Sequence, residues 1–380
     1  DSGKRSTAPV SSRTADYWIG GSAQILLPDG RIFITGGSEA VNWYFNFRPV
    51  EHTFYLAADY ILGPPSVVDH DLYEIRLNPT NTHMVRDAAG TLHVAYTRRQ
   101  WPASAPGYYA YVRRSTDDGQ TWANRVRTED MPDSAQVYSL AIAPDGTLHQ
   151  GFTFNVGTFV TSSADGGATW SKPTALRDGG WGDYDYSPAL AVDAGGALHA
   201  VFAQLFGWDD PPANVIAKTR PSAGAGWWNG VALTDYPNSE AFGLGATNPR
   251  LCLGPGGRRY ALFDQTTATA TRRLLAVFDG VRWHAPAALS SPARQGYGGD
   301  AAVDSAGWLH VVWIERDHAA ANAELRYAVY GPNGTQHAPP RNLTSGLSAN
   351  VHAATVGAYA GDGIILAYGL ARAGDQTEGQ

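Results

Sequence analysis

Along the chain, polarity repeats one phrase: a run in which apolar and polar residues alternate, a glycine-containing turn, then a second alternating run. The stretches QILLPDGRIFITG, MVRDAAGTLHVAY, LAIAPDGTLHQGF, LAVDAGGALHAVF, LCLGPGGRRYALF, AAVDSAGWLHVVW and VGAYAGDGIILAY are seven copies of it. Alternation with period two is the signature of a strand with one face buried, and the turn residues supply the backbone angles that a tight hairpin needs. The turn glycines fall at Gly30, Gly90, Gly146, Gly196, Gly257, Gly307 and Gly363, a period of about fifty-five residues. Weaker strand signals such as YYAYVRRS, VIAKTR, RLLAVFDG and LRYAVYG lie between the copies and supply outer strands. The pattern predicts an all-β chain, a single domain over residues 1–380, built as a seven-bladed β-propeller of four-stranded antiparallel blades. The first copy departs most from the others. The last lacks clear outer strands after Tyr368, so either the residues before Ala15 complete that blade or the ring closes less tidily.

Two octets share a second pattern. STDDGQTW (Ser115 to Trp122) and SADGGATW (Ser163 to Trp170) each follow the presumed third strand of a blade. The Asp can accept backbone N–H groups inside a turn, Gly permits a left-handed angle, and Trp can pack between neighbouring sheets. On these residues the chain resembles the Asp-box, or BNR-repeat, β-propellers, a group that includes the sialidases. The resemblance implies that the octets lie at the rim away from substrate and mark architecture. For a sialidase it further implies an early Arg in a Phe/Tyr-Arg-Ile-Pro motif, two more arginines and a Tyr–Glu nucleophile pair. The nearest text is FNFRPV, where Arg48 is followed directly by Pro49 and stands beyond the first inner strands; this departs from the motif.

Composition narrows the function classes. Charged residues are only 17% of the chain, beside 43 glycines and 12 tryptophans, which fits many short strands and tight turns. A single cysteine, Cys252, excludes an intramolecular disulfide, and its setting in ATNPRLCLG reads as a buried, inert thiol. The net charge of −7 with no basic tract argues against nucleic acid as a partner. No apolar run approaches the roughly 20 residues of a membrane span, and a start at Asp1 without Met is what a processed chain shows, so a secreted or periplasmic monomer is expected. Phosphate-cradling glycine motifs, HExxH and CxxC are absent from the sequence, so no cofactor is expected to be required. VVDHDLYE offers Asp69, His70, Asp71 and Glu74 as the beginnings of a calcium or zinc cluster, although an exposed acidic loop explains it as simply.

In such a ring the loops before each innermost strand and after the second strand line one funnel. These positions are rich in Tyr, His, Arg and Asn, which suits β-elimination from a uronic acid: cations and amides hold the carboxylate while a base removes the neighbouring proton and an acid protonates the leaving oxygen. In architecture and residue types the chain resembles β-propeller polysaccharide lyases of the ulvan lyase and rhamnose-glucuronate lyase kinds, which implies an acidic polysaccharide or oligosaccharide as substrate. The candidates for proton transfer are His83, Tyr138 and Tyr186. Those for substrate binding are Asn81, Arg98, Arg99, Asp185, Asn248, Tyr297, Arg316, His318 and His352. His93, His149, His199 and His310 each follow Leu in one repeat slot and read as packing residues. Two alternatives remain at this point. A glycoside hydrolase would need a carboxylate pair drawn from Asp185, Asp264, Asp300 and Glu315, about 5 to 10 Å apart; a non-catalytic glycan-binding propeller would need neither.

Overall fold

The computed structural model describes strand segments between Tyr17 and Arg76, and the chain from 84 to 371 apart from 101–106, 129–134, 155–156, 177–183, 206–212, 223–224, 237–244, 318–322, 346–349 and 360–362. Among the described residues the chain is all-β apart from one short 3-10 turn at Pro255–Gly257. Five sheets have four strands each, in sequence order and antiparallel. Sheet 1 is Ala23–Leu26, Ile32–Thr35, His52–Leu56 and Leu62–Val67. Sheet 3 is Gln136–Ile142, Leu148–Phe154, Gly157–Ser163 and Thr174–Ala175; sheet 4 is Tyr184–Val192, Leu198–Leu205, Asn214–Arg220 and Val231–Ala232. Sheet 5 is Gly245–Leu253, Arg259–Thr266, Thr271–Phe278 and Ala287–Ala288; sheet 6 is Arg294–Val303, Leu309–Asp317, Ala323–Tyr330 and Arg341–Asn342.

Sheet 2 differs. Its long strand Leu92–Gln100 pairs with Gly107–Ser115 on one side, and on the other with two short segments, Ile75–Arg76 and Met84–Arg86. Val126–Arg127 forms its outer edge. Sheet 7 is the hairpin Asn350–Tyr359 with Gly363–Ala371.

The inner strands are buried along most of their length, Leu198–Leu205 at every position, so apolar residues lie on both faces and consecutive sheets share them. Val112 of sheet 2 packs with Val137, Leu148 and Phe152 of sheet 3. Leu176 of sheet 3 meets Leu198 and Phe202 of sheet 4. The series continues with Val215 and Phe263, then Leu262 and Trp313, then Val312 and Val356. Truncating one such buried side chain to Ala costs about 2–5 kcal/mol. The innermost strands of sheets 2 to 7 lie side by side in chain order; the strand Asn350–Tyr359 also packs beside Ala23–Leu26, which packs beside Met84–Arg86. The arrangement is propeller-like.

The two octets fold alike. Ser115 Oγ accepts the Gly119 N–H at 2.7 Å, and Asp117 accepts the Thr121 N–H at 2.9 Å and its hydroxyl at 2.5 Å. In the second octet Ser163 accepts from Gly167 at 2.8 Å, and Asp165 accepts from Thr169 at 2.9 and 2.5 Å. Trp170 then fills the space between sheets 2 and 3, while Trp122 packs on sheet 2.

Candidate functional site

The sheets have two unlike ends. At one, the inner hairpin turns carry a recurring pair: the Nε2 of His93, His199 and His310 lies 3.2, 2.9 and 3.0 Å from a carboxylate oxygen of Asp87, Asp193 and Asp304. The same Asp accepts an N–H of its own turn, as Asp304 does from Trp308 at 2.8 Å, and Gly307 sits there at φ +86, an angle that glycine adopts without strain. Burial pushes the His199 imidazole down and Asp193 pulls it partly back. These histidines are buried fasteners of the hairpins, as their repeat slot suggested.

At the other end, five consecutive inner strands slip register at one level. The slips fall between Val137 and Ser139, Tyr186 and Ala189, Thr247 and Arg250, Tyr297 and Asp300, and Val351 and Ala353. The local sequence dictates three of them. Ser187 and Asn248 take left-handed angles (φ 56 and 52) immediately before prolines, which cannot donate to the ladder. Gly298 and Gly299 replace them in sheet 6, and a Cβ on Gly299 would collide with the Val312 carbonyl. A bulge bends its strand and re-aims the side chain it carries.

Hydrogen bonds tie these bulges from sheet to sheet. The Val137 N–H donates to Thr97 Oγ1 at 2.8 Å, joining sheet 3 to the far end of the long strand of sheet 2. Ser139 donates to the Pro188 carbonyl at 2.8 Å. The Ala246 N–H donates to the Ala213 carbonyl at 2.7 Å. Between sheets 5 and 6, Asp264 accepts from Arg273 at 2.9 Å, from Asn248 Nδ2 at 3.1 Å and from the Gly298 N–H at 3.1 Å. Arg273, 1% exposed, also donates to the carbonyls of Asn248 (3.2 Å) and Gly299 (3.4 Å). Asp300 takes the Thr355 hydroxyl at 2.6 Å and so joins sheet 6 to sheet 7.

Most of the described candidates gather at this level. Tyr138 and His352 occupy bulges, Asn248 is the left-handed residue of another, and Tyr186 and Tyr297 each stand immediately before one. Asp185 lies one residue before Tyr186 on the same strand, and Arg316 pairs with Gln295 two residues ahead of Tyr297. Arg98 and Arg99 follow Thr97 on the strand that bonds to sheet 3, which sets their backbone beside that of Tyr138. Asn81, His83 and His318 lie outside the described residues, as do Asp69, His70, Asp71 and Glu74. Among the described residues there is no cluster of His, Cys, Asp and Glu fit to hold a metal ion.

The electrostatics separate the groups. Burial pushes the Tyr186 phenol up to about 12, and the nearby Tyr138 adds to the shift, so Tyr186 holds its proton at neutral pH. Burial also raises Tyr297, while neighbouring Arg316 draws it back. The acids at this level are committed elsewhere: Asp264 and Asp300 as above, and Glu315 to Arg326 at 2.9 Å and to the Ser291 N–H at 3.1 Å. Cys252 is half-buried by exposure and its thiol is pushed well above its usual range by its surroundings, as an inert thiol should be.

Sequence reading missed Arg273, Thr97 and Ser139, which hold the level together, and the Asp partners of the histidines. Thr97 and Ser139 bond across sheets and leave no local signal, as does the bond of Arg273 to Gly299; the Asp partners stand six residues before each His and could have been read.

No protein-family model matches the chain, and no curated protein does. Among solved structures, an ulvan lyase described as a new family of polysaccharide lyase is 13% identical, with a TM-score of 0.62 over 93% of this chain and 92% of that one. The same kind of enzyme bound to -[GlcA(1-4)Rha3S]- is 12% identical, with a TM-score of 0.60 over 90% and 86%. An intramolecular trans-sialidase from Ruminococcus gnavus, in complex with oseltamivir carboxylate, is 8% identical, with a TM-score of 0.54 over 83% and 95%. At these identities the likeness is one of fold: the chain shares the all-β, propeller-like architecture of these proteins.

Proposed function

We propose that this protein is a carbohydrate-active enzyme, a polysaccharide lyase that cleaves a uronate-containing glycan by β-elimination at the bulged end of a seven-bladed, Asp-box propeller, acting outside the cytoplasm as a monomer. The observation that carries the reading is the division of labour at that end. Phenols, an amide and cations stand at the bulges, whereas three of the four acids a hydrolase could draw on are engaged in ion pairs or hydrogen bonds with neighbouring side chains. The fold shared with an ulvan lyase supports the same class.

In the proposed reaction Arg98, Arg99 and Asn248 hold the uronate carboxylate and stabilise charge as the neighbouring C5 proton leaves. His83, just ahead of the Met84–Arg86 strand, takes that proton. The electron pair forms the C4–C5 double bond, the C4–O bond breaks, and the leaving oxygen takes a proton from Tyr138 or Tyr186. Asn81, Asp185, Tyr297, Arg316, His318 and His352 complete the sugar contacts. Incubation with soluble glucuronate-containing polysaccharides, followed by ultraviolet absorbance and mass spectrometry, tests the reading. Lyase action gives a conjugated enoate and products lighter by one water than hydrolysis would give. Saturated new non-reducing ends, with one water added per bond cleaved, would show a hydrolase, and retention on the glycan without product would show a binding protein.

A further inference from the structure

Asp264 stands where the bulges of sheets 5 and 6 meet, and its two oxygens divide three donors. Oδ1 accepts from the Arg273 guanidinium at 2.9 Å and from the Gly298 N–H at 3.1 Å, while Oδ2 accepts from Asn248 Nδ2 at 3.1 Å. Arg273 in turn reaches the backbone carbonyls of both bulges, Asn248 at 3.2 Å and Gly299 at 3.4 Å. One buried ion pair therefore grips the backbone of two bulges and the side chain of one. The backbone grip serves the fold. The bond to the side chain goes further, because Asn248 is only half-buried and belongs to the group of residues that meet the sugar.

The chemistry of that bond fixes the amide. A carboxylate paired with arginine accepts and does not donate, so the atom of Asn248 that faces Asp264 is its nitrogen, and its oxygen is turned away. The backbone beneath it is held as well, by the left-handed angle of Asn248 (φ 52) and by the Arg273 bond to its carbonyl. Two capacities of the amide remain for a ligand: Oδ1 as an acceptor and the second hydrogen of Nδ2 as a donor. Donating the first hydrogen to an anion polarises the amide and makes Oδ1 the stronger acceptor. A sugar hydroxyl is the group such an acceptor takes, whereas a carboxylate can use only the remaining N–H.

We propose that Asp264 is a positioning residue that turns the Asn248 amide, so that Oδ1 reads a hydroxyl of the glycan while the remaining N–H serves the uronate carboxylate. The proposal rests on the uronate-glycan reading above. Two variants test it, each followed by urea unfolding and by steady-state kinetics on a glucuronate-containing polysaccharide. Asp264→Asn keeps an oxygen for Arg273 but turns an NH2 group toward Asn248, whose own oxygen must then swing inward. At a temperature where this variant is fully folded, kcat/KM should fall about ten- to hundredfold. Exchanging the two residues, Asp264→Asn together with Asn248→Asp, restores the bond with donor and acceptor reversed. The urea midpoint should then recover toward wild type while kcat/KM stays low, because a carboxylate now meets the uronate. Wild-type kcat/KM in folded Asp264→Asn overturns the positioning role, as does an exchanged pair that regains activity or fails to regain stability. Two variants that do not fold reduce Asp264 to the counter-ion of Arg273 and overturn it as well. Each of these results leaves the lyase reading standing. Wild type inactive on every uronate glycan removes that reading instead, and the recovery of stability in the exchanged pair still reports the bond.

Discussion

The hairpin-turn end and the bulged end of the sheets are built from the same strands and obey opposite rules. At the turns one chemistry recurs, an Asp accepting its own turn's N–H groups and a buried His, in Asp87–His93, Asp193–His199 and Asp304–His310. At the bulges one geometry recurs and the side chains differ: Tyr138, Ser187, Asn248, Gly298 and His352 occupy comparable places. Repetition of chemistry serves the fold, because every hairpin has the same problem to solve. Repetition of geometry with varied side chains serves a ligand, because a sugar presents different groups in different directions.

The largest effect expected from this contrast is on activity. His83→Ala, and whichever of Tyr138→Phe and Tyr186→Phe removes the proton donor, should each lower kcat by about a hundred- to ten-thousand-fold while the melting temperature stays within a degree or two of wild type. A comparable loss of kcat in His310→Gln would erase the distinction between the ends.

The next effect is on stability at the bulged end. Arg273→Met leaves Asp264, itself 3% exposed, without its cation and should cost about 3–5 kcal/mol in urea unfolding. At the turns, Asp193→Ala removes the partner of His199 and should cost about 1–3 kcal/mol with kcat unchanged.

The smallest effect is a pH dependence that one hairpin supplies. In sheet 3 the position six residues before His149 is Ala143, so no Asp faces Nε2 from that slot; Nδ1 lies 2.7 Å from Ser162 Oγ and 3.4 Å from Arg220. Burial, then Arg220, depress the His149 pKa from 6.5 to about 4. A depressed value means that the stability is present above pH 6.5 and is lost as pH falls toward 4, about 1–2 kcal/mol of it by pH 5. Ala143→Asp should flatten that acid limb in equilibrium unfolding, and an unchanged limb would show that the Asp–His pairs do not act as described.

Much of this was legible in the sequence for physical reasons. Period-two alternation and the turn glycines announce hairpins because both are local. The bulges also wrote themselves into the chain, as Ser187-Pro188, Asn248-Pro249 and Gly298-Gly299 inside runs that otherwise alternate. Tyr138 and His352 mark bulges without any such signal, and position in the repeat was their only clue. Arg273 was illegible. It sits in RLLAVFDG and reads as an outer-strand residue; the strand register sets it opposite Asp264, and only the packing of sheet 5 against sheet 6 brings it to Gly299. Asp264, Asp300 and Glu315 stood as acids a hydrolase would need for the same reason: the sequence shows that a carboxylate is near the funnel, not which donors its oxygens accept.

The account stands most directly on where a uronate sits. A crystal of the His83→Ala variant soaked with a glucuronate-containing oligosaccharide is predicted to show the sugar at the bulged end, its carboxylate toward Arg98 and Asn248 and a glycosidic oxygen within hydrogen-bonding reach of Tyr138 or Tyr186. Sugar bound instead over the Asp–His hairpin turns, or at the bulged end with its carboxylate turned away from those groups, would contradict it.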